Sequence, residues 1–281
     1  WQLNIDVLGG DKILADAEVL KLSYDLIKAF GGEKHIKILV NNRNLINYFF
    51  NDKLSLSSES AHQACKALDQ RAKIGEEKYN TLLNDAGIND EQKQLMEKFF
   101  SSSFEEVQKL AECEGTEELK SLFKLLEASD LKDCVQFEPT IMRGMDYYTG
   151  TIFEMYDNSP DNNRAMFGGG RYDNLVGMFG KDQLSGVGFG MGDVTLRQFL
   201  ETHNLLPEDA PLVDAFVTFA SDDLIESSNQ LAQTLRDAGL KITTPLKVSK
   251  LGQQLKMADR QKARYALIVG EQEMSDKTVS M

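Results

Sequence analysis

Between Arg143 and Gly192 three glycine-marked segments follow one another: Arg143-Gly144-Met145-Asp146-Tyr147-Tyr148-Thr149-Gly150, Gly168-Gly169-Gly170-Arg171-Tyr172-Asp173, and Gly188-Phe189-Gly190-Met191-Gly192. Glycine lets a backbone approach a ligand or another chain segment closely. Arginine grips carboxylate or phosphate through a rigid fork of donors. Tyrosine adds a flat wall with one polar tip. Together these residue types describe a pocket for a small planar substrate beside an anionic one.

Further candidates surround this set. Gln2, Asn4 and Asp6 alternate with Leu3, Ile5 and Val7, so they share one face of a strand. They are either a half-exposed polar face or a set that holds an ammonium and a carboxylate. Arg143 stands before a Gly-x-Asp-Tyr-Tyr turn, a place that marks it out from an ordinary surface arginine. Tyr147, Tyr148 and Tyr172 read either as core aromatics with satisfied hydroxyls or as walls of the pocket. Arg171 and Asp173 are expected to hold a turn. The spacing Gly188-x-Gly190-x-Gly192 is GxGxG rather than GxGxxG, and no βαβ unit with a following acidic residue frames it, which excludes a dinucleotide fold.

The elements that position these residues follow from periodicity. Residues 1–10 predict a strand closed by Gly9-Gly10. Leu14, Ala17, Leu20, Tyr24 and Ile27 predict a helix stopped at Gly31-Gly32, Ile36 to Val40 a strand, and Asn41 to Phe50 a second helix. From about 57 to 132 the chain is rich in lysine and glutamate and helical throughout. It carries the stripes Ala61-Cys65-Leu68-Ala72 and Leu119-Leu122-Phe123-Leu126 and breaks at Gly75, Gly87, Ser101–Ser103 and Gly115. Strands are expected at 135–137, 151–156 and 186–191, and a helix at 193–203. Pro207 and Pro211, with acidic residues between them, mark a linker. Beyond it, Ala215, Val217 and Phe219, then Leu224, Ser228, Leu231 and Leu235, then Ala266 to Val269 predict a small α/β domain.

Composition sets the limits. The chain has 281 residues, 42% hydrophobic and 27% charged, with a net charge of −13. These values fit a globular protein of two domains or more and argue against nucleic-acid binding as a global property. No apolar run approaches the roughly 20 residues of a membrane span, and residues 1–10 lack signal-peptide order. Cys65, Cys113 and Cys134 form no CxxC, and His35, His62 and His203 are scattered, so no metal site is expected. Eight basic residues lie between Arg236 and Arg264 with only Asp237 and Asp259 opposing them. This is a solvated helix face or a local track for phosphates.

The segments RGMDYYTG and GGGRYDNLV resemble the two histidine-specific signatures of the histidyl-tRNA synthetase family, and GVGFGMGDVTL is similar to motif 3 of class II aminoacyl-tRNA synthetases. WQLNIDVLG resembles the second strand of motif 2. The resemblance implies an α+β fold, with a class II antiparallel-sheet catalytic core at 1–56 and 133–206, a helical insertion at 57–132, and a small α/β anticodon-binding domain at 212–281. It implies a cytoplasmic histidine–tRNA ligase acting with ATP and Mg2+ through a histidyl-adenylate, homodimeric as the parent protein and not associated with membranes. In that reading Arg143 is the catalytic cation and also contacts ATP. Gln2, Asp6, Tyr147, Tyr148, Gly169, Tyr172 and Gly188 line the histidine site, and Gly190, Gly192 and Thr195 the ATP site. Lys247, Lys250, Lys256 and Arg260 meet the tRNA. Two departures stand out. Thr195 occupies the position of the motif 3 arginine, and Arg197 lies about 200° further round a helix. Motif 1 and the first part of motif 2 do not occur in the sequence, and Lys277 to Met281 fall within an expected hairpin, so the chain reads as an internal fragment and is expected to be inactive alone. The competing readings are a histidine-sensing paralogue, the regulatory subunit of ATP phosphoribosyltransferase, and a tRNA-sensing synthetase-like domain.

Overall fold

Alternation along Gln2–Leu8 produces the first strand, β1, and Asp11 starts the helix that follows. In the computed structural model, which describes residues 1–142, 147–162, 164–174, 177, 184–207 and 211–281, the Asp11 carboxylate accepts from the backbone N–H groups of Ile13 (3.2 Å) and Leu14 (3.3 Å). This N-cap satisfies donors that α1 (Lys12–Lys28) would otherwise leave open. Arg143 to Asp146, the side chain of Ala72 and the acidic centre of the expected linker, residues 208–210, lie outside the described residues. The chain divides into two units, Trp1–Leu206 and Pro207–Met281.

In the first unit a six-stranded sheet runs in the order β1-β6-β5-β4-β2-β3, with β2 at Ile36–Asn42, β3 at Val135–Phe137, β4 at Thr151–Asp157, β5 at Ala165–Tyr172 and β6 at Gly186–Gly192. All neighbours are antiparallel except β2 and β3, which are parallel, so the expected antiparallel sheet is mixed at one edge. Its two faces differ sharply. Ile38, Val40, Phe153, Met155, Phe167, Val187, Phe189 and Met191 point to one side and are buried there. The helices α1, α7 (Glu114–Glu127) and α8 (Asp193–Thr202) pack against the strands.

Helix α2 (Arg43–Tyr48) begins one residue after β2, because Asn41 and Asn42 belong to the strand rather than to the expected helix. The Asn42 side chain caps α2 through the Asn44 N–H (2.8 Å). A π-helical turn, Phe49–Lys53, leads to α3 (Ser58–Ile74), α4 (Glu76–Asp85), α5 (Asp90–Phe100) and α6 (Phe104–Leu110). Capping boxes at Asn89/Gln92 and Ser103/Glu106 start α5 and α6. Phe49 stacks on Phe99 with ring centroids 3.8 Å apart, and one continuous hydrophobic cluster joins these helices to the sheet.

Two sequence expectations are corrected here. Leu14 is 60% exposed instead of lying on the buried stripe. Helix α1 turns Asp16 towards the sheet, and Leu14 lies about 200° from it. Gly115 does not break a helix; it sits in the first turn of α7, where a β-carbon would collide with the backbone nitrogen of Leu45. Its missing side chain lets α7 and α2 approach.

The second unit is a parallel sheet ordered β8-β7-β9, with β7 at Val213–Phe219, β8 at Ile242–Thr243 and β9 at Ala263–Val269. Helices α9 (Ile225–Asp237) and α10 (Leu251–Arg260) pack on it. Residues Ala215 to Phe219 are all buried, as a central parallel strand requires. Buried Gln254 accepts from the Phe219 N–H (3.1 Å) and donates to the carbonyls of Phe219 (3.0 Å) and Ser249 (2.7 Å). After β9 the chain forms helix α11 (Glu271–Asp276), and Ser280 then pairs with Ile268. Between them the chain turns at Lys277, in the left-handed region.

Candidate functional site

The polar face of the large sheet is paved with glycine. Register places Asp6 opposite Gly188, Gly188 opposite Gly170, Asn4 opposite Gly190 and Gly190 opposite Gly168. A β-carbon on Gly188 would strike the Asp6 carboxylate, and one on Gly190 would strike the Gln2 amide. The Gln2 and Asp6 side chains therefore lie across bare backbone. Gln2 Nε2 also donates to Asn4 Oδ1 (2.7 Å), so the three polar residues of β1 act as one row. Gly192 ends the same strand face, next to α8.

The tyrosines close one side of this floor. A β-carbon on Gly170 would lie 2.9 Å from Tyr148 Cδ1, which puts the Tyr148 ring over the glycine row. Tyr147 meets Tyr148 with centroids 4.6 Å apart and Tyr172 edge-on at 6.0 Å. Ile141 and Ile152 pack with them in a small apolar cluster. The Tyr172 hydroxyl donates to Asp6 Oδ1. Burial raises the pKa of this phenol, and the Asp6 hydrogen bond and charge raise it further, so Tyr172 stays a donor throughout the ordinary pH range.

Gly169 is separated from this set. Its β-carbon would point to the apolar face and into the backbone of Gly188 and Phe189, so its small size serves the packing of β5 on β6. Arg171 also faces that side. It is 1% exposed; its Nε (2.9 Å) and Nη2 (2.6 Å) donate to Asp16 Oδ1, Nη2 donates to the Lys12 carbonyl (2.8 Å), and Nη1 donates to Asp173 Oδ1 (3.2 Å). Arg171 thus ties β5 to α1 as well as to Asp173, beyond the turn expected of it. Burial pushes the Asp16 carboxyl above the usual range, and Arg171 draws it back only in part. For Arg171 burial is outweighed by Asp16 and Asp173, which raise its pKa. The guanidinium itself keeps its proton.

Thr195, on α8, donates its hydroxyl to the Met166 carbonyl (2.6 Å). Its Oγ lies 3.3 Å from the Gly192 carbonyl. It offers no charge to an anion there. Arg197 is 72% exposed and pairs with Glu201 (2.8 Å), so it does not replace an arginine at that place. Arg143 lies outside the described residues, but the chain leading to it is firmly held. Buried Asn41 donates to the carbonyls of Pro139 (2.9 Å) and Ile141 (3.0 Å), and Arg43 Nη1 donates to the Met142 carbonyl (3.3 Å). Arg43 Nε is buried without a partner among the described residues. Sequence reading missed Arg43 and Asp16. The signal for Arg43 was a cation at a strand-to-helix junction; Asp16 was an acid on an otherwise apolar helix stripe.

Clefts flank the glycine floor. One of about 600 Å³ is lined by Lys37, Leu39, Arg71, Glu138, Glu154 and Tyr156 among others. Among the described residues no cluster of three or more His, Cys, Asp or Glu side chains is placed to hold a metal ion. No described helix is long and apolar enough to cross a membrane. In the second unit Lys247, Lys250, Lys256 and Arg260 are all exposed, the last two one turn apart on α10.

A mixed sheet with one glycine-paved polar face, backed by helices and followed by a small α/β unit, is the architecture of a class II aminoacyl-tRNA synthetase. Residues 1–196 match the family model described as histidyl-tRNA synthetase, and residues 213–281 match the one described as anticodon binding domain. The chain belongs to the histidyl-tRNA synthetase family. It is 37% identical to a histidine–tRNA ligase of Leptospira biflexa, covering 100% of this chain and 65% of that protein. It is 29% identical to the chloroplastic/mitochondrial ligase of Arabidopsis thaliana, covering 58% of it. The crystal structure of histidyl-tRNA synthetase from Nostoc superposes with a TM-score of 0.74 at 29% identity, over 99% of this chain and 68% of that one. A Bacillus halodurans structure described as an ATP phosphoribosyltransferase regulatory subunit/histidyl-tRNA synthetase shares the fold, with a TM-score of 0.68 at 20% identity.

Proposed function

We propose that this chain supplies the amino-acid site and the anticodon-binding unit of a histidine–tRNA ligase that works through a histidyl-adenylate. The supporting observation is the row Gln2-Asn4-Asp6 lying across the bare backbone of Gly188 and Gly190, with Tyr147, Tyr148 and Tyr172 beside it. Gln2 and Asp6 would receive the α-amino group of histidine, and the tyrosine wall its imidazole. Asp6 also holds the Tyr172 hydroxyl. An imidazole that displaced this contact would find a donor already oriented.

ATP is the co-substrate in this reading, with Mg2+ carried on its phosphates. Gly190 and Gly192 would pass beneath the adenosine. Thr195 does not fit a γ-phosphate clamp, because its proton is committed to Met166. Arg143 would neutralise the carboxylate and α-phosphate as the carboxylate attacks. Residues 1–56 and 133–206 would form the catalytic core and residues 57–132 an insertion set over the acceptor arm. The exposed basic residues Lys247, Lys250, Lys256 and Arg260 would track the tRNA. The complete enzyme would be a homodimer acting in the cytoplasm.

The test is ATP–pyrophosphate exchange by the full-length protein with histidine and a panel of other amino acids. Exchange with histidine alone, falling about 10²- to 10³-fold in Arg143→Ala, is the expected outcome. The neutral Thr195 favours a second reading, a histidine sensor without adenylation. Retained histidine binding with no exchange would establish that reading instead.

A further inference from the structure

The tyrosine wall is braced from the opposite face of the sheet. Tyr147 and Tyr148 are followed directly by Thr149 and Gly150. The Thr149 hydroxyl donates to Asp173 Oδ2 (2.9 Å) and accepts from the Asp173 N–H (3.0 Å), while the Thr149 N–H donates to the Arg171 carbonyl (2.8 Å). Asp173 Oδ1 takes Arg171 Nη1, and Arg171 is gripped through two nitrogens by Asp16, which is 2% exposed. A β-carbon on Gly150 would lie 3.0 Å from Arg171 Cδ, so the backbone of the segment rests on the arginine stem. The connections run without a gap from α1, through β5, to the residue next to Tyr148.

We infer that Asp16 and Asp173 are positioning residues for the Tyr147–Tyr148 wall, acting through Arg171 and the Thr149 hydroxyl. Neither carboxylate points to the glycine floor; each acts by fixing the donor that follows it. A buried guanidinium that makes four hydrogen bonds is stiff, because any other arrangement leaves a charge unpaired. Tyr147 is half-buried and Tyr148 buried, and both pack with Ile141, Ile152 and Tyr172. The relay fixes the backbone from which both rings project. Its relevance to histidine rests on the function proposed above; the relay to the tyrosines does not.

The test introduces 3-fluorotyrosine into the chain and assigns the Tyr147 and Tyr148 resonances with tyrosine-to-phenylalanine variants. Thr149→Val removes both hydroxyl contacts at nearly constant volume, Thr149→Ser restores them, and Asp16→Asn removes charge at the far end. Should Asp16→Asn not fold, the two Thr149 variants still decide the matter. The expected result is that Thr149→Val moves both resonances and weakens L-histidine binding about tenfold, with the urea midpoint nearly unchanged, and that Thr149→Ser reverses both effects. Unmoved resonances in Thr149→Val would overturn the relay, and wild-type histidine binding would then leave the functional reading standing. Moved resonances in a chain whose wild type binds no histidine would uphold the relay and remove the functional reading.

Discussion

Asp157 shows how a single carboxylate joins segments far apart in sequence. It is 4% exposed and accepts from Asn162 Nδ2 (2.5 Å) and the Ser159 N–H (2.8 Å), and it meets His203 Nε2 at 2.8 Å. His203 in turn stacks on His35, with centroids 4.0 Å apart. Burial pushes the Asp157 carboxyl up, but the contacts from Asn162, Ser159 and His203 outweigh it and hold it below the usual carboxylate range. A folded pKa below the unfolded one means that this group stabilises the protein above the unfolded value, about 3.9, and loses that contribution as pH falls through the folded value. Urea unfolding of Asp157→Asn and wild type between pH 3 and pH 7 should show the largest gap in midpoint near neutrality, closing towards pH 3. A gap that does not change with pH would rule this out. The sequence presents the histidines as scattered; only the fold brings residues 35 and 203 into one stack. The site was more legible. Gln2, Asp6, Gly188, Gly190 and the tyrosines, singled out by alternation and by resemblance to family motifs, lie together on the polar face of the sheet. Arg171 and Asp16 were not paired, because 155 positions separate them and no local pattern links an acid on a helix to an arginine on a strand.

At the scale of elements, the approach of α7 to α2 depends on one missing side chain. At Gly115 a β-carbon would meet the Leu45 backbone nitrogen and lie 2.9 Å from Asn42 Oδ1 and 3.0 Å from the Asn44 carbonyl carbon. Backbone cannot yield as a flexible side chain does. Gly115→Ala should therefore destabilise the first unit by about 1–3 kcal/mol, measured by denaturant unfolding, although alanine is the better helix former. A neutral or stabilising result would mean that the helices separate freely. In the sequence this glycine reads as a helix break, because a tertiary requirement for closeness looks the same as a local one for flexibility. Strands β4 and β6 and helix α8 were visible from periodicity alone. The strand order was not, because the pairing of β1 with β6 joins Gln2 to Gly192 and Leu8 to Gly186, at opposite ends of the first unit's sequence.

At the scale of the molecule, the two units carry separate cores. Phe216, in β7 of the second unit, is fully buried. Phe216→Ala should lower the stability of residues 207–281 by about 3–5 kcal/mol and leave the unfolding transition of residues 1–206 in place, as two resolved transitions in calorimetry. Merging or joint loss of both transitions would show that the units do not fold independently. The chain spans 65% of the length of its Leptospira relative, so these transitions describe the matched part of such a protein. The glycine rows of β5 and β6 have a different bearing, on inheritance. A floor made only of main chain is already at its lowest level, and any mutation there can raise it but none can deepen it. A descendant of this sequence that came to hold a bulkier guest on this floor would have to move the walls, at Tyr147, Tyr148 and Tyr172. The glycine rows permit change in one direction only, towards smaller guests.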